Sequence, residues 1–311
     1  MFNTPVLFLI FNRPGQTQHT FDAIRSQRPA QLFIAADGPR HAADEPLTAR
    51  CREIVSNVDW DCEVKTLFRT ENLGCGAGPA NAITWFFEQV EAGIILEDDC
   101  VPNKSFFSYC TELLEKFRND PRIMVISGTS YQIRPLNNDT YYFSKYIHVW
   151  GWASWRRAWS RYSFSLADED EQTRRMVIHQ AFSNWRERRL WVYNMKIIVN
   201  GLDAWDYQLM YWLWKNDGLA VVPWKNMVSN IGFDEQATHT FDGRSFQANM
   251  PRHEIIHIKH PEKVNLHKNA DRYERYHILI PPGYRYILQR IHAAAKRLAR
   301  ILKLSKWTVS R

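Results

Sequence analysis

The segment from Ala92 to Cys100 constrains the fold more than any other, because three apolar residues run directly into three acids. Residues 94–96 (Ile-Ile-Leu) are typical of a strand that is buried on both faces. Glu97, Asp98 and Asp99 follow at the carboxyl end, where open α/β sheets bind their ligands. Because an unpaired buried carboxylate is costly, a cation is expected there. Mg²⁺ or Mn²⁺ suits such oxygen ligands, whereas a solvated acidic turn is the alternative.

Apolar strand patterns alternate with helical patterns over the first 130 residues. Strands are predicted at residues 5–11, 31–36, 63–69, 93–97 and 123–127. Helices are predicted at residues 16–26, 44–57, 79–90 and 103–117. Strands separated by helices of this length predict an α/β domain with a mostly parallel, doubly wound sheet.

Tryptophan is concentrated in the middle of the chain. Ten of the thirteen tryptophans lie within about 75 residues: Trp150, Trp152, Trp155, Trp159, Trp185, Trp191, Trp205, Trp212, Trp214 and Trp224. Aromatic side chains suit the faces of sugars, but core packing is the commoner reason for them. We therefore expect most of these side chains to fill the interior.

The net charge of +7 comes from the end of the chain and not from its body. Residues 283–311 contain eight Lys and Arg and no acid, and the remainder has 32 Lys and Arg against 33 Asp and Glu. Residues 284–307 place apolar side chains on one helical face and basic ones elsewhere. Such a helix can lie on an anionic membrane surface, and a helix packed on the body or a disordered tail are the alternatives.

Five cysteines without a Cys-x-x-Cys pair fit neither a zinc site nor a disulfide framework, which predicts a reducing cytosol. The apolar start at residues 5–11 has no preceding basic residue and no small-residue cleavage site. No apolar run approaches 18 residues, so a spanning helix is not expected. We therefore expect a cytoplasmic protein, with peripheral attachment to the inner face of the plasma membrane as an option for the tail.

Polar residues follow three of the predicted strands. Arg13, Asp37 and Arg69 end the first, second and third strands, so they could converge on one nucleotide, although each could equally cap a helix or turn. Residues 72–78 form a glycine-containing loop ahead of a helix. Exposed N–H groups at a helix start favour an anion, but the spacing matches no phosphate-binding fingerprint and an ordinary loop is the simpler interpretation.

Two further residues are candidates for chemistry. Asp206 lies in the first turn of a very apolar helix. It could be a general base, or a carboxylate that simply favours the helix dipole. His239 lies in a polar loop at residues 230–240 and could bind a metal or a phosphate, although a lone loop histidine usually does neither.

Together these segments resemble nucleotide-sugar glycosyltransferases of the GT-A fold, whose DXD-type motif corresponds to Glu97-Asp98-Asp99. A closer resemblance is to glycosyltransferase-like proteins of bacterial polysaccharide clusters, some of which are named as haemolytic proteins. The matching segments are Phe11–Pro14, Leu96–Cys100, His148–Ala153 and Asn230–His239. A more distant resemblance is to the Golgi N-acetylglucosaminyltransferase of N-glycans, through Asn12-Arg13, Asp37, the acidic triplet with Pro102 and Phe106-Phe107, Gly151-Trp152 and Trp205-Asp206.

The resemblance covers about residues 5–265 and implies a GT-A domain, a Rossmann-like mostly parallel sheet flanked by helices, at 1–265. A basic helical tail is expected at 266–311. The implied substrates are a nucleotide diphosphate-sugar and a saccharide or lipid-linked acceptor of surface polysaccharide, and no nucleic acid. Implied roles are donor binding by Arg13, Asp37, Arg69, Glu97 and Asp98, Mn²⁺ or Mg²⁺ binding by Asp99 and His239, and proton acceptance by Asp206.

The implied reaction is a single displacement that inverts the sugar C1, with N–H groups of the helix near Gly78 assisting the diphosphate. Two alternatives stay open. The chain could be an inactive GT-A-like binding protein, although the intact carboxylates argue against that. A metal-dependent nucleotidyltransferase would use a similar sheet and acids, but it would normally carry a glycine- and lysine-rich loop where this chain has residues 12–16.

Overall fold

The computed structural model describes residues 2–166, 168–233 and 245–280. The first half contains β1 (Val6–Ile10), α1 (Pro14–Gln27), β2 (Gln31–Ala36), a 3₁₀ turn (Ala42–Asp44), α2 (Glu45–Ser56), β3 (Glu63–Phe68), α3 (Gly74–Gln89), β4 (Ala92–Glu97), β5 (Cys100–Pro102), α4 (Lys104–Lys116) and β6 (Ile123–Ser127). The second half contains β7 (Tyr141–Ser144), β8 (Trp152–Trp155), α5 (Arg156–Trp159), α6 (Glu171–Ala181), α7 (Trp185–Val199), α8 (Asp206–Lys215), β9 (Leu219–Pro223), β10 (Val228–Asn230), α9 (Lys268–Glu274) and a π-helical turn (Arg275–Leu279). The chain divides into two compact units between Asp271 and Arg272.

One eight-stranded sheet organises the first unit, in the order β3-β2-β1-β4-β8-β6-β9-β7. β1 is parallel to β2 and β4, β2 is parallel to β3, and β6 is parallel to β9. β8 is antiparallel to both β4 and β6, and β7 is antiparallel to β9. The predicted fold class, a mostly parallel α/β sheet flanked by helices, is therefore confirmed.

All five predicted strands are present, and the central ones are fully buried, as their continuous apolar runs require. The strands of the second half were not predicted. Among them, Trp152–Trp155 inserts between β4 and β6, so that Ile94 faces Ala153 and Ile95 faces Trp152 across the pairing. The carboxyl ends of β1, β2 and β4 meet at one edge, where Arg13, Asp37 and the acidic triplet follow.

Most of the tryptophans do fill the interior, as predicted. The buried ones are Trp152, Trp155, Trp159, Trp191, Trp205, Trp214 and Trp224. Trp205 packs against the Trp152 ring at a centroid distance of 5.6 Å and against Trp159 at 6.4 Å. This aromatic layer lies beneath the start of α8 and gives that end of the helix a rigid support.

Within the residues that the structure describes, no helix is both long enough and apolar enough to cross a membrane. The predicted basic helix at 284–307 lies outside the described residues, and so does His239. The predicted domain boundary between residues 265 and 266 stays a prediction.

Candidate functional site

A cavity of about 630 Å³ opens at the carboxyl edge of β1, β2 and β4. Seven of the eight residues proposed from the sequence line it: Arg13, Asp37, Arg69, Glu97, Asp98, Asp99 and Asp206. They come from five separate parts of the chain, so the fold brings them together. Their individual roles stay predictions, and the eighth residue, His239, falls outside the described ranges.

In the protein alone, the cation expected beside the acidic triplet is an arginine. Arg13 Nη1 lies 3.1 Å from Asp99 Oδ2, and the two side chains are only 11% and 14% exposed. The Asn230 amide lies 3.5 Å from the other Asp99 oxygen. Gly232 packs so closely that a Cβ there would lie 1.9 Å from Asp99 Oδ2, which explains why the loop needs glycine at this position.

The other two acids of the triplet are held in a strongly anionic surrounding. Burial and then the charge of Asp99 raise the pKa of Asp98 to about 7, although Arg13 and the Phe11 N–H oppose the shift. Burial, then repulsion from Asp99, Asp98 and Asp206, raises the pKa of Glu97 well above its usual value. At both carboxyls, burial and repulsion together therefore outweigh the opposing charge of Arg13.

Among the described residues, no three His, Cys, Asp or Glu side chains form a group that could hold a metal. This does not conflict with a Mg²⁺ type of site, because that ion is usually held by one or two carboxylates together with water and substrate phosphates. Asp99, with Asp98 next to it, provides oxygen ligands of the kind that such an ion prefers.

The first turn of α3 is bound by carboxylates of the protein itself. Asp37 accepts hydrogen bonds from the backbone N–H groups of Leu73, at 3.0 Å, and Gly74, at 3.1 Å. These donors are therefore already engaged in this conformation, and the contribution of N–H groups near Gly78 to an anionic ligand stays a prediction. The predicted start at Pro79 is wrong, since the helix begins at Gly74.

Asp203 is a site residue that the sequence did not reveal. Its carboxylate accepts hydrogen bonds from the backbone N–H groups of Cys75, at 3.0 Å, and Gly76, at 2.7 Å. Asp203 also lines the cavity. The glycines of residues 72–78 were a signal that another chain segment approaches closely, but nothing in the sequence identified that segment.

Asp206 begins α8 and lines the same cavity as the first turn of α3. The preceding Trp205 is buried in the aromatic layer with Trp152. The negative charge of Asp206 is close enough to contribute to the raised pKa of Glu97. The candidate base and the acidic triplet therefore share one electrostatic environment.

A second group missed from the sequence lies beside Arg13. The Arg40 guanidinium lies 5.0 Å from the centre of the Phe11 ring, and both residues line the cavity. Arg40 Nε donates to Asp44 at 2.8 Å, and the Asn12 amide donates to the same carboxylate at 2.7 Å. Hydrogen bonding from Arg40 is the main reason why the pKa of Asp44 is lowered. This network holds the Arg40 guanidinium against the Phe11 ring in the lining of the cavity.

No protein-family model matches this chain, and no curated protein matches it. Among solved structures, the crystal structure of HddC from Yersinia pseudotuberculosis is similar over 53% of this chain and 84% of that one. The TM-score is 0.32 and the sequence identity is 10%. The fold class described here therefore rests on the sheet topology.

Proposed function

We propose that this protein is a metal-dependent glycosyltransferase. It would move a sugar from a nucleotide diphosphate donor to a saccharide or lipid-linked acceptor, with inversion at the sugar C1. The observation that carries the proposal is the shared cavity, which joins the acidic triplet at the end of β4 to Asp206 at the start of α8. Its volume of about 630 Å³ lies within the range of small-molecule sites.

The charges in the cavity support a divalent cation. Three carboxylates lie together at the end of β4, with the Arg13 guanidinium beside Asp99; burial and then mutual repulsion raise the pKa values of Glu97 and Asp98, and a bound cation would oppose both shifts. Asp99 would hold Mn²⁺ or Mg²⁺, with Asp98 adjacent and His239 proposed as a further ligand. When bound, the ion would neutralise charge that develops on the leaving diphosphate.

The remaining residues have roles that follow from their positions. Arg13 and Arg40 would attract the anionic donor, and the Phe11 and Arg40 planes offer a surface on which a nucleobase can stack. Asp37 would act indirectly, by fixing the loop before α3, since its carboxylate already binds backbone N–H groups there. Arg69 also lines the cavity.

Asp206 would accept the proton of an acceptor hydroxyl as its oxygen attacks the sugar C1. The C1–O bond to the diphosphate breaks in the same step, so the configuration inverts. Trp150 and Tyr207 also line the cavity and provide aromatic surface suited to sugar rings. Attachment of residues 284–307 to an anionic membrane is proposed only as a way of reaching a lipid-linked acceptor.

A panel of nucleotide sugars tests the proposal without knowledge of the acceptor. We expect at least one to raise the unfolding temperature with Mn²⁺ and not with EDTA, because a ligand that binds only the native state stabilises it. Nucleoside monophosphates and free sugars are the controls. Failure of every nucleotide sugar to stabilise the protein would argue for the binding-protein alternative.

We expect Mn²⁺ affinity to rise with pH between about 6 and 8. A cation beside Asp99 favours the ionised forms of Asp98 and Glu97, whose pKa values are raised, so metal binding must release protons. Below a pKa of about 7, each pH unit costs up to about tenfold in affinity. Calorimetry in two buffers of different ionisation enthalpy measures the protons released. An affinity that does not vary over this range would exclude these carboxylates from the metal's surroundings.

A further inference from the structure

We propose that Asp203 is a positioning residue, which holds the proposed base, Asp206, in place relative to the donor side of the cavity. The donor side is the part lined by the proposed donor-binding residues Asp37 and Glu97-Asp98. The inference rests on the proposed function of Asp206. It adds a specific mechanical link, since Asp203 fastens the segment that carries the base to the first turn of α3. Nothing in the sequence pattern identified this link.

Several hydrogen bonds join Asp203 to the first turn of α3. Asp203 Oδ1 accepts the N–H of Gly76 at 2.7 Å, and Oδ2 accepts the N–H of Cys75 at 3.0 Å. The Cys75 thiol donates to the Asp203 backbone carbonyl at 3.0 Å. A carboxylate is well suited to this place, because a helix N-terminus has free N–H groups and a partial positive charge.

The contact leaves no space between the two segments. A Cβ at Gly74 would lie 2.5 Å from Asp203 Oδ2, and a Cβ at Gly76 would lie 2.5 Å from Oδ1 and 2.9 Å from the Ala204 nitrogen. Gly74 also has a φ of +83°, a conformation that glycine adopts readily. Both glycines are thus required by the approach of residues 203 and 204.

A short, stiff stretch carries this constraint to Asp206. The Gln208 side chain donates to the Ala204 carbonyl at 2.7 Å, and the Leu209 N–H donates to the Trp205 carbonyl at 3.3 Å. The Trp205 ring is stacked on Trp152 in the interior. A change at Asp203 therefore has to be absorbed by the residues that place Asp206, and a misplacement of about 1 Å can cost about 10² in rate.

The same turn of α3 also binds Asp37 on the donor side of the cavity. Asp37, the start of α3 and Asp203 thus form one continuous connection from the donor side to the segment of the base. An ordinary helix cap would need only the hydrogen bonds. Here the Ala204 backbone also lies against Gly76, so the link extends beyond the hydrogen bonds of the carboxylate.

The test compares two disruptions with a matched control. Asp203→Asn keeps the size of the side chain and removes its charge. Its amide N–H₂ group can also point at the backbone N–H groups of Cys75 and Gly76, which are donors as well. Gly76→Ala keeps the Asp203 residue but adds a Cβ that would lie 2.5 Å from its Oδ1 and so forces the two segments apart. Alanine is the better helix former, so a harmful effect cannot come from lower helix propensity. Asp170→Asn is the control, because Asp170 caps α6 through the Thr173 N–H at 2.7 Å and does not line the cavity.

We expect Asp203→Asn and Gly76→Ala each to lower kcat by about 10-fold to 100-fold, with donor affinity within about twofold of the parent. Their double variant should be little worse than either alone, because both break one contact. Hydrogen exchange should quicken at residues 203–209 in both variants. Asp170→Asn should lose some thermal stability while kcat and exchange at 203–209 stay unchanged.

Three results would overturn the proposal. An unchanged kcat in Asp203→Asn would reduce Asp203 to a helix cap. A large loss of donor affinity at constant kcat would make it a donor contact. If the parent protein turned over no nucleotide sugar, the proposed function would fail; Asp203 would then lose the positioning role for transfer, and exchange at 203–209 would still report separately whether the fastening exists.

Discussion

Asp99→Asn should abolish Mn²⁺-dependent binding of the nucleotide sugar, with an affinity loss of about 100-fold or more. The amide keeps the size of the side chain but removes the charge that the cation needs, and loss even of a residue supporting a metal ligand typically costs about 10-fold to 100-fold. Asp99 also repels Glu97 and Asp98, so removing its charge relieves this electrostatic repulsion. That gain offsets the loss of the ion pair with Arg13. The metal-free protein should therefore unfold at nearly the parent temperature.

Calorimetry of donor binding with and without Mn²⁺ makes this measurement. Asp120→Asn is the matched control, since Asp120 is a partly exposed carboxylate paired with Arg122 at 2.6 Å and is not a lining residue of the cavity. Unchanged Mn²⁺-dependent affinity in Asp99→Asn would remove the triplet from the metal site.

Asp206→Asn should separate chemistry from binding. Loss of a positioned general base typically lowers the rate by about 10²-fold to 10⁴-fold. Donor affinity should change less than twofold, because Asp206 is assigned to the acceptor hydroxyl and not to the diphosphate. Steady-state rates and donor calorimetry on the same samples provide both numbers.

Asp206→Glu is the informative companion to this variant, because it keeps a base but moves it. We expect its rate to lie between those of the parent and Asp206→Asn. Turnover of Asp206→Asn within threefold of the parent would leave Asp206 as a carboxylate that favours the helix dipole. A product with retained anomeric configuration would also rule out its role as base.

The sequence predicted the half of the fold in which strand and helix patterns alternate. Continuous apolar runs identify β1, β2 and β4 because these strands are buried on both faces. The three strands run parallel to one another, which places Arg13, Asp37 and Asp99 at one edge of the sheet. β8 was not predicted because a strand of four residues is too short to show a periodic pattern. Its antiparallel position in the sheet depends on pairing with β4 and β6, which are distant in the sequence.

The site was predictable where a residue follows a strand, and not where a contact joins distant segments. The cation beside Asp99 was expected from charge alone, but only the structure identifies Arg13 in that role. Asp203 contacts residues 74–76 although it lies 128 residues after Cys75 in the sequence, so no local pattern could reveal this contact. Glycine spacing indicated a close approach without naming the partner.

The central claim is that the sugar C1–O bond is the one that breaks, which separates a glycosyltransferase from a nucleotidyltransferase using similar acids. The direct measurement is ³¹P NMR of a nucleotide sugar that stabilises the protein, incubated with Mn²⁺ and either an acceptor or water alone. We predict growth of nucleoside diphosphate signals, abolished in Asp99→Asn and strongly slowed in Asp206→Asn. In a parallel incubation with added pyrophosphate, growth of sugar 1-phosphate together with nucleoside triphosphate would instead show cleavage at phosphorus and would contradict the account.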